Sequence, residues 1–186
     1  MYVVADTETT GLRADAEIAQ IAFLLFDKDR KVMGQFKSLI KPDGWVMPPE
    51  TAAFHGITQE MCEKYGLDVR GVLSVFNGFC ARADVLVFHN SQYDVGRLQY
   101  TMGRTGFPLA MPRVECTMKL TTDLVGLPPT EKMVAAGRTG NKPPSLKEAH
   151  EFFTGQGFDG AHDALADVWA CARVYWAYLD RQAVAA

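Results

Sequence analysis

The sequence predicts an α/β fold, a mixed β-sheet covered by helices, in a single domain spanning residues 1–186. Three observations carry that expectation. The first forty residues hold three apolar, β-rich runs separated by polar turns. The rest of the chain alternates short apolar runs with stretches of helical period. No internal repeat, low-complexity tract or linker divides the chain.

In chain order, Tyr2–Ala5 is a short strand and Glu17–Asp27 a longer one. Lys28-Asp29-Arg30-Lys31 is a polar turn, so Val32–Ile40 returns as the second arm of a hairpin. Prolines and Gly44 make Lys41–Pro49 a loop. Gln59–Tyr65 is a short helix. Val72, Val75, Phe76 and Phe79 recur at helical spacing and predict a helix over Val69–Ala83. Asp84–Phe88 is a compact strand, followed by a helix from Gln92 to Met102. Val114–Cys116 reads as a strand leading into a helix at Met118–Leu124. Gly126–Pro144, rich in Gly and Pro, is the least regular part. Ser145 caps a helix through Phe153, and Gly155–Gly160 breaks it. Ala164–Leu179 is a helix apolar around most of its circumference, hence deeply buried.

A hydrophobic content of 48% supplies a substantial core. The net charge of −3 argues against a protein that holds nucleic acid by charge alone. A site whose positive charge comes from bound cations needs no such surface. No stretch reaches the roughly 20 uncharged apolar residues of a membrane span, so no membrane partner is expected. Met1-Tyr2-Val3-Val4-Ala5-Asp6 lacks the basic start of a signal peptide. Cys62, Cys80, Cys116 and Cys171 are far apart, without a C-x-x-C pair. They suit reduced, buried thiols in a cytoplasmic protein.

Three constellations carry chemistry. The first is Asp6-Thr7-Glu8-Thr9-Thr10-Gly11-Leu12, at the end of the first strand. Side chains two apart on a strand share a face, so Asp6 and Glu8 project together, where an open α/β sheet binds its ligands. Two carboxylates that close repel each other unless a cation lies between them. The second is His89-Asn90-Ser91-Gln92-Tyr93-Asp94, straight after a strand. Asp94 there reads as a ligand or, with Ser91, as a variant capping box, and the two are compatible. The third is Gly160-Ala161-His162-Asp163-Ala164-Leu165-Ala166-Asp167. Asp167 is a charge on an otherwise apolar helix and calls for a partner or a metal. Asp163 as N-cap leaves His162 on the preceding loop, free to swing back. Four acids from three distant segments are untenable together without cations; with two they form a phosphoryl-transfer site.

These motifs resemble the DEDD superfamily of 3′→5′ exonucleases. The first motif is a close match, the second matches through Asn90 and Asp94, and the third matches as His162 followed by Asp167. Histidine in the third motif corresponds to the superfamily's histidine subgroup, DEDDh. Phe54-His55-Gly56-Ile57-Thr58 is similar to the family's loop beside the substrate end.

The resemblance implies a ribonuclease-H-like fold with a five-stranded mixed sheet. It also implies two Mg²⁺ or Mn²⁺ ions per active site, with Asp6 bridging both. Glu8 and Asp167 would hold the ion nearest the attacking water, and Asp94 would help hold the other. His162 would take the water's proton, a task suited to a group titrating near neutrality. Thr7, Thr9 and Asn90 would meet the substrate end, and Leu12 would wedge against its terminal base. Phe54 and His55 would line that pocket or merely pack a loop. The implied partner is nucleic acid with a free 3′ end, DNA favoured over RNA, and a polymerase or a second copy of the chain is a further candidate.

Cys116-Thr117 departs from the Asp-Thr frequent in relatives. Lys132, Arg138 and Lys142, in the irregular segment, are expected either to contact substrate phosphates or to lie on a solvated loop. An endonuclease on the same scaffold and a non-catalytic nucleic-acid or polymerase-binding module are the alternatives. The intact set of acids argues against the binding module.

Overall fold

In the computed structural model, which describes residues 1–160 and 163–185, five strands form one mixed sheet. These are β1 (Tyr2–Thr9), β2 (Ile18–Phe26), β3 (Val32–Leu39), β4 (Val85–Phe88) and β5 (Arg113–Cys116), in the order β3-β2-β1-β4-β5. β1, β2 and β3 pair antiparallel, whereas β4 lies parallel to β1 and β5 parallel to β4. Parallel neighbours need long crossovers. The first contains α1 (Pro49–His55), α2 (Gln59–Tyr65) and α3 (Val69–Cys80), and the second is α4 (Ser91–Thr105). After β5 come α5 (Thr117–Val125), α6 (Glu131–Ala135), α7 (Leu146–Thr154) and α8 (Ala164–Ala185).

All nine residues of β2 are buried, which explains its continuous apolar run: helices cover both of its faces. Alternation along β1 sorts its side chains between two cores. Val3 and Ala5 pack with Phe23, Val72, Phe76 and Leu98, on the side of α3 and α4. Val4 packs with Leu24, Val168, Cys171 and Tyr175, on the side of α8. Phe23 stacks on Phe36 and meets Phe76 and Phe79, with ring centroids about 5 Å apart, the spacing that favours aromatic pairs.

The expected strands and the six expected helices are present, with four differences. β1 continues past Ala5 to Thr9 because Asp6, Thr7 and Glu8 pair with Ala22, Ile21 and Gln20, so the first motif lies within the sheet. Residues 49–55 form helix α1, begun by Pro49 in its first turn and ended by Gly56 at φ 75°. Phe54 and His55 therefore sit on the last turn of a helix. Within the irregular segment, Thr130 caps the short helix α6. α8 runs past the expected Leu179 to Ala185: Ala164, Val168, Cys171 and Tyr175 pack with the sheet, Ala170, Ala172 and Val174 are buried beside them, and Arg173 and Asp180 are exposed. The four cysteines are free and buried. Among the described residues, no helix is long and apolar enough to cross a membrane.

Candidate active site

Asp6 and Glu8 stand on the β1 face that α8 covers, and Asp167 projects from the first turn of that helix. Carboxylate oxygens of these three residues all lie within 4.8 Å of one another. Asp163 is the N-cap of α8: its Oδ1 accepts the backbone N–H groups of Leu165 (3.0 Å) and Ala166 (3.2 Å). The carboxylate of Asp163 is also paired with Lys37. Gln20, the β2 partner of Glu8, accepts the Ala164 N–H and ties the helix start to the sheet. His162 lies outside the described residues.

The acids repel one another strongly. Withdrawal from water, then Asp94, Asp167 and Glu8, hold Asp6 well above the usual carboxylate range. Glu8 is pushed up to about 8 by burial and by Asp167, Asp94 and Asp163. Asp94, 3% exposed, is raised to about 7 by burial, although Thr7 donates a 2.7 Å hydrogen bond to it. Neutral carboxylic acids would be poor ligands, but a divalent cation among them would favour the charged forms. Three carboxylates at this spacing suit a hard, oxygen-seeking cation. Asp94 stands outside the group of three and couples to it through Thr7 and its charge.

The ambiguity in the second motif resolves against a capping box. Asn90 is the N-cap of α4, with φ 69° and ψ 46°, and its side chain makes no capping bond. Ser91 gives its N–H to Cys116 Sγ (3.4 Å), so that donor is met by the cysteine and not by a cap. A non-glycine residue held left-handed beside a cluster of acids is a common mark of a functional turn. His89 is held by Thr117 Oγ1 at Nδ1 (2.8 Å) and by the Pro144 carbonyl at Nε2 (3.0 Å). Burial pushes it down to about 4, so it is neutral and structural near pH 7.

Beside the acids opens a cleft of about 460 Å³ lined by Thr7, Glu8, Thr9, Leu12, Phe54, His55 and Asn90, together with Gly11, Glu50, Thr51 and Tyr93. All six residues expected at the substrate end thus share one cleft. Leu12 is 90% and Phe54 64% exposed, so both present apolar surface to the cleft. The Ile57 N–H donates to His55 Nδ1 (3.1 Å), so the ring proton sits on Nε2 and is given to the Thr9 carbonyl (3.1 Å). Glu50, Thr51 and Tyr93 are lining residues that sequence reasoning missed, and of these Tyr93 carried a signal. It lies in the second motif, and its place just before Asp94 was the available signal.

The three basic residues expected near phosphates differ from one another. Lys142 pairs with both carboxylate oxygens of Glu148 at 2.6 Å, while Glu148 completes a capping box with Ser145. Its backbone N–H bonds the Leu127 carbonyl and closes the base of the segment. Lys142 is therefore a fastening of α7. Lys132 and Arg138 are exposed on and after α6.

Comparisons with known proteins agree with this geometry. The RNase_T family model, described as an exonuclease, matches residues 3–175. The DNA polymerase III PolC-type protein of Lactococcus lactis subsp. lactis (strain IL1403) is 33% identical over 124 residues, 66% of this chain and 7% of that protein. DNA polymerase III subunit epsilon of Treponema pallidum (strain Nichols) is 33% identical over 102 residues, 50% of this chain and 42% of that protein. The chain spans less than half the length of both. The crystal structure of E. coli exonuclease I in complex with a dT13 oligonucleotide superposes with a TM-score of 0.76 at 18% identity, covering 97% of this chain and 40% of that one. That likeness shows the fold, which is ribonuclease-H-like. Because the family match runs from the first strand well into the last helix, this chain belongs to the RNase_T exonuclease family.

Proposed function

We propose that this chain is a 3′→5′ exonuclease of the histidine subgroup, DEDDh, that hydrolyses the terminal phosphodiester of nucleic acid, DNA favoured, releasing nucleoside 5′-monophosphates. The observation that carries the proposal is the convergence of Asp6, Glu8 and Asp167 within 4.8 Å, next to a cleft that Glu8 itself lines. Carboxylates so placed would hold Mg²⁺ or Mn²⁺, two per site, with Asp94 contributing from the far side of Thr7. When bound, the cations neutralise the repelling acids, acidify water and stabilise charge on the reacting phosphate.

The chain's own residues do the rest. Asp6 and Glu8, fixed on a central strand, cannot drift apart without breaking the ladder to β2. Thr7 orients Asp94. His162, preceding the N-cap of α8, is placed in sequence to accept the proton of the attacking water. Thr9 and Asn90 offer polar contacts to the last nucleotide, and Leu12, Phe54 and the His55 ring offer walls. Such walls tolerate every base, as a non-selective exonuclease requires. Residues 1–186 act as one exonuclease domain.

Polymerases appear among the relatives, and a polymerase is the proposed partner, DNA its shared substrate. A product time course on matched 3′- and 5′-end-labelled DNA and RNA oligomers with Mg²⁺ tests the proposal. Mononucleotide release from the 3′ end of DNA is expected. Cutting of closed circles, or no degradation at all, would defeat it.

A further inference from the structure

We propose that Tyr93 and Arg97 are positioning residues that lock the Thr9–Arg13 bend, so that Leu12 is presented rigidly to the substrate end. The inference rests on the exonuclease reading for the role of Leu12, but the lock itself is a matter of this chain's contacts. Leu12 is almost wholly exposed, so its own packing cannot fix it. The backbone around it is fixed instead. The Thr9 carbonyl accepts from His55 Nε2 (3.1 Å), and the Thr10 carbonyl from Thr51 Oγ1 (3.3 Å), both on α1. The Gly11 carbonyl accepts from the Tyr93 hydroxyl (2.7 Å), and the Arg13 carbonyl from the Arg97 guanidinium, both on α4. Leu12 alone in that run has a carbonyl without a side-chain donor among the described residues. Tyr93 also shares a hydrogen bond with Thr9 Oγ1.

Tyr93 and Arg97 are one helical turn apart and form a unit. The Arg97 guanidinium carbon lies 5.4 Å from the centroid of the Tyr93 ring, within the range of cation–π attraction. Arg97 is 8% exposed, and its Nε has no partner among the described residues. A buried guanidinium with an unmatched donor stabilises a fold less than an apolar side chain of similar volume would. Its value therefore lies in where it holds the Arg13 carbonyl. Two helices thus hold the backbone of the bend while Leu12 stands exposed in the cleft, a preorganisation that lowers the ordering cost of binding.

Two readouts test the lock in Tyr93→Phe and Arg97→Met, with melting temperatures confirming that each variant folds. The first is the initial rate of tryptic cleavage after Arg13, whose side chain is 87% exposed in the intact protein. Both variants should be cut there several-fold faster, and Arg97→Lys should recover part of the protection. Unchanged cleavage overturns the lock. The second is steady-state hydrolysis of end-labelled single strands. Each variant should raise KM roughly fivefold, about the effect of one lost hydrogen bond, with kcat within twofold of wild type. In a Leu12→Ala background the same substitutions should leave KM unchanged, because the locked residue is gone. Faster cleavage with unaltered KM overturns the role in substrate binding. A wild type inert toward nucleic-acid ends overturns the exonuclease reading, and the tryptic readout then still judges the lock.

Discussion

Glu8→Gln should stabilise the metal-free protein at alkaline pH and leave it nearly unchanged in acid. Glu8 titrates at about 8 in the folded chain, against about 4.3 when unfolded. Between those values the folded state binds more protons than the unfolded one, so stability falls as pH rises. The change from about 4.3 to about 8 corresponds to a ceiling near 5 kcal/mol, at about 1.4 kcal/mol per pH unit. Relaxation and counterions will reduce that to roughly 2–4 kcal/mol. A chain of this length gains about 2–4 °C per kcal/mol, so glutamine should raise the melting temperature by about 4–16 °C at pH about 8.5. At pH about 3.5, below the unfolded value, the group is protonated in both states and the gain should vanish. Mn²⁺ should restore wild-type stability at the higher pH and do less for the variant. Scanning calorimetry in chelator, with and without Mn²⁺, measures all of this. An equal effect at both pH values, or wild-type stability that does not fall with rising pH, would refute the electrostatic account of the acids.

His162→Ala should lower kcat by about 10²–10⁴-fold, and wild-type activity should rise with pH through the range where a histidine deprotonates, read from single-turnover rates. Undiminished turnover would assign the base elsewhere. Gly66→Ala should cost a few kcal/mol in urea unfolding, because a Cβ there would meet Cys62 O at 2.3 Å and Lys41 N at 2.5 Å. Its KM should not change, since Gly66 ends α2 away from the cleft. Replacing Lys132 and Arg138 together with alanine should flatten the salt dependence of oligonucleotide binding, whereas Lys142→Ala should mainly loosen α7. An unaltered slope in the double variant would remove any phosphate contact from α6 and its flank.

The cluster of Asp6, Glu8 and Asp167 was legible because each acid interrupts an apolar pattern, at a strand and at a helix start, and such interruptions need a reason. The strands were legible from composition, and the all-buried β2 from its unbroken apolar run. Less visible was α1. Its signals were present, with Pro48-Pro49-Glu50 at the start and Gly56 at the end, but the neighbouring prolines masked them as loop. The left-handed Asn90 and the unused capping box are tertiary outcomes: Cys116 takes the Ser91 N–H and Thr7 engages the Asp94 carboxylate. Lys142 looked like a free cation because its partner Glu148 lies across a turn, serving a cap at the same time. The grip of Tyr93 and Arg97 on the Thr9–Arg13 carbonyls joins residues more than eighty positions apart. No local pattern announces it.

Calorimetric titration of Mn²⁺ into the wild-type chain and into Asp6→Asn and Asp167→Asn tests the central claim most directly. The account predicts uptake by wild type accompanied by proton release near neutral pH, because Glu8 and Asp94 must ionise to serve the cation. Uptake should be weakened severely in both variants. No binding by wild type, or binding that survives both substitutions, would contradict it.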